Sequence, residues 1–390
     1  MTASPPSTAP TSPPNSARPR RDGFTLIEIL MVILVIAILA SLIMAVIGNS
    51  LNSARAAATR ATLTKVHRLL EERRQAITRS DLRREVRVVR ASMSNVPGLY
   101  TNDVAKIVAL KEVMRVQLPQ RIDDLRGADR LFGTADDSPV LKKLQQLTGE
   151  DKNNNGNLDP GEDLNNNNLL DMPFSTNPPT FPPTHDATTT SSELLYVALT
   201  MGTELGSGSS AIEFSSSEAV DTDGDGLMEL VDGWARPLRF YRWPTSLVLA
   251  TPNSTADTRP VELLIGGGNA QLWNSDPDDP LGRFRLWMIG PNVSNHPKVL
   301  NWFHSPATYH IPLVVSAGQD GQLGLEEPID LVRHGVWARL YDEDEDGDGQ
   351  LDSGEDRNSN GILDNLIQNS TLRIVLADNI TNRNISIGGN

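Results

Sequence analysis

The sequence predicts an α+β chain in which a long N-terminal membrane-spanning helix leads to an antiparallel β-sheet head with inserted acidic loops. Three observations carry this. Phe24 to Ile47 is an almost wholly apolar run, and no proline interrupts the chain from there until Pro97. The C-terminal half holds short β-type runs bounded by Gly, Pro, Asn or Asp. Acidic twelve-residue segments with cation-ligand spacing occur three times.

Composition narrows the function classes. With 390 residues the chain is long enough for two or three domains. Its net charge of −14 argues against nucleic acid as a partner. The absence of cysteine excludes disulfides, thiolate metal sites and thiol chemistry.

Residues 1–23 are rich in Pro, Ser and Thr, carry Arg18, Arg20 and Arg21, and are expected to be disordered. Residues 24–47 form about 36 Å of apolar helix, enough to cross a bilayer. The arginines before them favour a cytoplasmic N-terminus. Glu28 is the exception within the run. A carboxylate there costs about 2.5–3.5 kcal/mol, so it either snorkels to the interface or finds a partner. Residues 48–92 continue as an amphipathic helical stem, with Ala54, Ala58, Ala61, Val66, Leu69 or Leu70, and Ile77 near helical spacing and Gly48-Asn49 as the expected weak point. The helix is expected to run from Phe24 to about Arg79, and at most to Arg90. Residues 51–90 carry 11 Lys+Arg against 4 Asp+Glu. That basic face is either solvated or packed on acidic parts of neighbouring chains.

Gly23-Phe24-Thr25-Leu26-Ile27-Glu28 resembles the cleavage and methylation site of type IV pilins and type II secretion pseudopilins. The resemblance implies cleavage after Gly23 by a prepilin peptidase and methylation of the new amine on Phe24. It also implies pairing of Glu28 with the amine of a neighbouring subunit during filament assembly.

Residues 93–190 read as an inserted region with helical runs at Val104–Val116 and Pro139–Leu147 and a Pro-rich linker over 172–184. Residues 191–340 read as the β-rich head, opening with a short helix at Ser191–Met201. Its expected strands are Leu238–Trp243, Val261–Ile265, Phe284–Ile289 and Ile311–Ser316, and Arg373–Ala377 follows in the terminal segment 365–390. The six tryptophans all fall in the head and serve either as core or as a stacking surface. Asp232-Gly233-Trp234-Ala235-Arg236-Pro237 is similar to the D-x-W-G-x-P-Y segment of the major pseudopilin, with Ala235 in place of the usual glycine. Ser316 to Gly324 resembles that family's S-x-G-x-D-G-x-x-G calcium loop, which implies Asp320 and Asp330 as ligands.

A Ca²⁺ ion takes six to eight oxygens, and a twelve-residue loop supplies them from positions 1, 3, 5, 7, 9 and 12 with Gly at position 6. Asp151, Asn153, Asn155, Asn157, Asp159 and Glu162 meet this spacing around Gly156. Asp344, Asp346, Asp348, Gln350, Asp352 and Glu355 meet it around Gly349, within tandem loops spanning 341–364. Asp221, Asp223, Asp225, Leu227 (through its carbonyl), Glu229 and Asp232 form a third set around Gly226, ending in Asp rather than Glu. Partial copies follow the first two: Asp163, Asn165, Asn167 and Asp171, then Asp356, Asn358, Asn360 and Asp364. Such runs resemble EF-hand, dockerin and thrombospondin type 3 loops. Residues 342–364 hold ten carboxylates and one arginine, a crowding that cations relieve.

No hydrolase, nucleotide-binding or metalloprotease motif is present, and no enzyme activity is expected. His296, His304 and His310 lie close in sequence, as scattered histidines or as a transition-metal group. The resemblance as a whole implies a pseudopilin-like filament subunit with a Ca²⁺-stabilised head. Its partners would be other copies, the prepilin peptidase, the inner-membrane assembly platform and the bilayer. Its place would be the cytoplasmic membrane, single-pass, with the head periplasmic or extracellular. The alternatives are a minor pilin or adhesin, and a calcium-dependent binding module on a pilin-type anchor.

Overall fold

The computed structural model describes residues 25–92, 102–153, 155–163, 168–175, 179–200, 214–243, 278, 279, 281, 283, 284, 312–325, 327, 328, 351 and 379–382; side chains are not described at 42–49, 92 and 102. The chain forms two compact units, Met1–Leu51 and Asn52–Asn390.

In the first unit the helix α1, Leu26–Arg79, begins. Its apolar side chains from Leu26 to Leu39 are exposed, and it continues without a break through Gly48-Asn49. Among the described residues no helix is long and apolar enough to cross a membrane. The expected span, 24–47, includes Phe24 and the side chains of 42–47, which lie outside the described residues.

In the second unit α1 ends at Ser80-Asp81, whose short polar side chains compete for backbone groups. Ser80 Oγ donates to the Ile77 carbonyl at 2.7 Å, and Asp81 Oδ1 accepts the Arg83 N–H at 3.1 Å, starting α2, Arg83–Ser92. The stem is more than a solvated rod. Thr59, Thr62, Leu63, Val66, Leu69, Leu70, Arg73 and Ile77 are buried at the three- and four-residue spacing of one helix face. Two of its basic residues turn inward: Lys65 Nζ reaches Glu218 Oε2 at 2.8 Å, and Arg73 donates to the Ala198 carbonyl.

The expected helices appear as α3, Asn102–Gln117, α4, Pro139–Thr148, and α5, Thr190–Thr200. α5 is buried nearly along its length, so its polar residues need partners. Ser192 Oγ donates to the Leu230 carbonyl at 2.9 Å and Ser191 Oγ accepts the Phe240 N–H at 3.2 Å. Five short strands follow: β1, Ala219–Val220; β2, Glu229–Leu230; β3, Arg239–Tyr241; β4, Leu313–Ser316; β5, Ile380–Thr381. β1 and β2 form an antiparallel pair, and a second antiparallel sheet has the order β3-β4-β5. β4, its middle strand, is buried at all four positions. The architecture is therefore α+β. Of the strand expected at Phe284–Ile289 only Phe284 is described, and it is helical together with Arg283, whose N donates to Asp279 Oδ1 at 2.7 Å. Residues 261–265, 285–289 and 373–377 lie outside the described residues. So do four of the six tryptophans; Trp243 is buried and Trp234 is half-buried.

The stretch expected as a Pro-rich linker contributes to the core. Phe174 is buried, and Phe181 meets it edge-on at 4.8 Å between centroids. The aromatic side chains anchor a segment whose prolines cannot donate backbone hydrogen bonds.

Where α3 meets β3, Asp124 sits wholly buried. Its Oδ2 accepts from Arg242 Nη1 at 2.9 Å, Gln120 N at 3.0 Å and Arg121 N at 3.2 Å. Burial works to raise this carboxyl's pKa, but the guanidiniums of Arg242, Arg121 and Arg115 outweigh it and hold the group well below the usual carboxylate range. An acid depressed in the folded state contributes stability above its unfolded value of 3.8 and loses it as pH falls below that. Asp124→Asn leaves buried guanidiniums without their counter-charge and is expected to cost about 3–5 kcal/mol at neutral pH. Denaturant unfolding of the two proteins at neutral pH and near pH 3 should show that the gap narrows in acid.

Candidate functional site

Two constellations stand out, one in each unit. In the first, Thr25 and Glu28 open α1 as a capping box, the T-x-x-E pattern in which side chains at either end of the first turn exchange hydrogen bonds with backbone amides. Thr25 N and Oγ1 donate to Glu28 Oε2 at 2.8 and 2.9 Å, and Glu28 N donates back to Thr25 Oγ1 at 3.3 Å. The carboxylate thus already has a partner within its own helix, at the end where the helix dipole favours negative charge. The T-x-x-E signal is legible in the sequence. Gly23 and Phe24 lie outside the described residues.

In the second unit the 221–232 loop joins β1 to β2, with Val220 opposite Glu229, so it closes a β-hairpin rather than linking two helices. Asp221 folds it, accepting Gly224 N at 2.7 Å and Gly226 N at 3.1 Å. The sharp reversal puts Gly226 at φ +89°, which explains glycine at position 6. Asp221, Asp223, Asp225 and Glu229 each present a carboxylate oxygen within 4.8 Å of the others, a group able to hold a metal ion. Thr222 N donates to Glu229 Oε2 at 2.5 Å. Burial and the nearby Glu193 and Asp223 charges push the Glu229 carboxyl up to about 7, against the pull of that hydrogen bond. Carboxylates held this close favour either a proton or a cation.

Asp232 is not in the group. Its Oδ1 accepts Trp234 N at 2.8 Å and Arg236 N at 3.1 Å, and its Oδ2 accepts Ser316 Oγ at 2.6 Å. Leu227 N donates to Asp225 Oδ1 at 2.8 Å while its side chain is buried in the core.

A second group of ligand atoms within 4.8 Å adds residues that loop spacing misses: His185 and Glu193, with Asp223 and Asp225. His185 Nδ1 lies 3.1 Å from Asp225 Oδ2, 3.3 Å from Glu193 Oε1 and 3.7 Å from Asp223 Oδ2. Burial alone would lower this imidazole, but hydrogen bonds to Asp225 and Glu193 and their charges push it up to about 9. Burial also raises the Glu193 carboxyl. No spacing signal links residues 185 and 193 to the loop; the fold brings them there.

The 151–162 loop follows α4. Asp151 accepts Asn155 N at 2.9 Å and Gly156 N at 2.8 Å, and Glu162 accepts Lys152 N at 3.0 Å and Asp159 N at 2.9 Å. Asp159 Oδ2 is held by the side-chain amides of Asn153 at 2.7 Å and Asn155 at 2.6 Å. Asn157 N donates to Asn155 Oδ1 at 2.7 Å. In the partial copy Asp163 Oδ2 accepts Asn168 N at 2.9 Å, and Asp171 N donates to Glu150 Oε2 at 2.8 Å. Asn165, Asn167 and Asp330 lie outside the described residues, as do Asp344, Asp346, Asp348, Gln350, Asp352, Glu355, Asp356, Asn358, Asn360 and Asp364. His296, His304 and His310 lie outside them as well. Asp320 is exposed, its Oδ1 accepting Gln322 N at 2.8 Å.

The two head segments with pseudopilin-like sequence meet in space. Beyond the Ser316–Asp232 bond, Arg236 Nη1 donates to the Gly318 carbonyl at 2.8 Å. Ala235 sits at φ +61°, where only glycine is free of strain, which accounts for the residue usual at that place. Gly233 presses on α1: its N donates to Thr59 Oγ1 at 2.9 Å, and a Cβ there would lie 2.2 Å from the Arg55 carbonyl oxygen.

Prokaryotic N-terminal methylation motif is the family description that matches, over residues 18–44. No curated protein and no solved structure matches the chain. The motif supports a membrane-anchored, pilin-type subunit of a pilus or secretion filament and a substrate of a prepilin peptidase.

Ala235→Gly should stabilise the protein by about 0.5–1 kcal/mol, the left-handed strain relieved less the added chain entropy. Gly233→Ala should cost about 1–3 kcal/mol through the clash with helix backbone. Thermal unfolding of both variants beside the wild type checks the opposite signs.

Proposed function

We propose that this chain is a pseudopilin or closely related pilin-type subunit, processed after Gly23 and assembled into a filament through Glu28. The observation that carries the reading is a first-turn glutamate on an exposed apolar helix, inside the matched motif of residues 18–44. The described bonds to Glu28 use Oε2, so the carboxylate is already oriented at the helix start for the amine of an incoming copy. The inner-membrane assembly platform and the prepilin peptidase follow as partners, and the role is structural rather than enzymatic. Mass spectrometry of the native protein is expected to find a methylated N-terminus at Phe24. Glu28→Ala is expected to abolish incorporation into filaments while the head's unfolding transition is kept. An intact Met1, or filaments of normal yield from the variant, would overturn this.

Ca²⁺ is the proposed stabiliser of the head. The Asp221, Asp223, Asp225 and Glu229 group offers only oxygen ligands, the chemistry that suits a hard cation. At ten times its dissociation constant an ion adds about 1.4 kcal/mol per site, a rise of a few degrees. The chelator-stripped full chain in detergent should therefore unfold a few degrees higher in millimolar Ca²⁺ than without it. Glu229→Gln should reduce that rise, and an identical melting curve with and without Ca²⁺ would count against the proposal.

A further inference from the structure

We propose that His185, Glu193, Asp223 and Asp225 form a binding site for a transition-metal dication of the zinc class, sharing two carboxylates with the oxygen-only loop group. The inference stands apart from filament assembly. It differs from the calcium proposal in metal, in two of its four ligands and in the element it secures.

The hydrogen bonds around the ring determine its orientation. Thr190 Oγ1 donates to the Ala187 carbonyl at 2.9 Å, so at its 2.8 Å contact with His185 Nε2 the hydroxyl accepts and the ring donates. The proton of a neutral ring is then on Nε2, and the lone pair of Nδ1 faces the carboxylates of Asp225, Glu193 and Asp223. Acceptors facing acceptors need positive charge between them, supplied by a second proton on the ring or by a metal ion. Stacking on Phe181, at 3.7 Å between centroids, keeps the ring from turning away.

Geometry and donor type agree on the class. Four ligands about 2.1 Å from a tetrahedral ion are separated by roughly 3.4 Å. His185 Nδ1 stands 3.1, 3.3 and 3.7 Å from its three carboxylate neighbours. Imidazole with carboxylates suits zinc and its neighbours, whereas calcium takes oxygen alone. The chain has no cysteine, so no thiolate site competes for such a metal.

An independent observation is an orphaned atom. Glu193 is wholly buried, and while its Oε1 accepts Thr189 Oγ1 at 2.6 Å, its Oε2 has no hydrogen-bond partner among the described residues. Buried carboxylate oxygens are rarely left so, and a bound ion is one of the accepted reasons. The surroundings resemble an outer shell: Nε2–H on a hydroxyl, Thr189 on Glu193, and Asp186 N on Asp223 Oδ2 at 2.7 Å. An ion here would tie the strap around His185 to α5 and to the β1–β2 turn at once.

The test uses the full-length chain in detergent, stripped by chelation and titrated with Zn²⁺ alone. Wild type is expected to bind zinc with imidazole among its ligands by X-ray absorption. His185→Gln and Glu193→Gln are each expected to weaken that binding roughly tenfold or more, while His185→Gln keeps the calcium-induced rise in melting temperature. Absence of zinc binding overturns the proposal. So does zinc affinity unchanged in both variants. If either variant fails to fold by circular dichroism, zinc anomalous scattering from wild-type crystals decides. A peak within bonding distance of His185 Nδ1 supports the site, and a peak only elsewhere overturns it.

Discussion

The Asp232 carboxylate joins pieces of the head that lie far apart in the chain, and much of the second unit depends on it. Its two oxygens take the amides of Trp234 and Arg236 and the hydroxyl of Ser316, so one side chain both closes the turn after β2 and ties it to the end of β4. The turn forced by those bonds lays Gly233 on α1 at Arg55 and sends the chain into β3, which pairs with β4 from Arg239 opposite Val315 to Tyr241 opposite Leu313. Because the carboxylate is buried, its bonds compete with no water, and losing the Ser316 hydroxyl would leave Oδ2 to bear the full cost of desolvation. This clasp also reshapes the loop before it. Asp232, at the twelfth position, is committed to the sheet, and Glu229, three residues earlier, belongs to the converging carboxylate group instead.

The same economy explains why the head tolerates so many polar residues in its interior. α5 carries Thr190, Ser191, Ser192 and Glu193 at zero to four percent exposure, which an isolated helix could not accommodate without loss. Each hydroxyl is used: Ser191 and Ser192 for the backbone of β3 and β2, Thr190 for His185 and Ala187. On the opposite side Arg242 serves Asp124 and the carbonyls of Leu118 and Arg115, while its plane covers Trp243 with 4.4 Å to the ring centroid. These networks position elements more than they add net stability, since buried ion pairs roughly break even against apolar packing.

How far the sequence was legible follows from whether each signal is local. The long helix, its end near Arg79, α3, α4, α5 and strands β3 and β4 follow from periodicity and turn residues within a dozen positions. The ligand spacing of the 221–232 loop is equally local, and four of its carboxylates do converge. What could not be read was long-range. Nothing near Asp232 announces Ser316, and nothing near Asp223 announces His185 or Glu193. At Phe284, the first residue of an expected strand, the chain is helical, since a short apolar, aromatic run suits either element by periodicity alone. The prolines after Met172 suggested a linker because the aromatics between them, Phe174 and Phe181, find their partners only in the folded core.

Glu28 shows how local structure and assembly share one group. A first-turn carboxylate that already accepts Thr25 N and Oγ1 is partly relieved of its charge by the helix dipole and by two hydrogen bonds, so placing it in an apolar run costs less than an unpaired acid would. On the proposed assembly route, the amine of an arriving subunit would meet a carboxylate whose rotamer is already fixed. The attraction would then be spent less on ordering the side chain. The bonds to Thr25 also need not break, because a carboxylate accepts at up to about four positions and the described bonds all use Oε2. A glutamate that first caps its own helix and then receives a neighbour's charge explains why the threonine three residues before it belongs to the same functional unit.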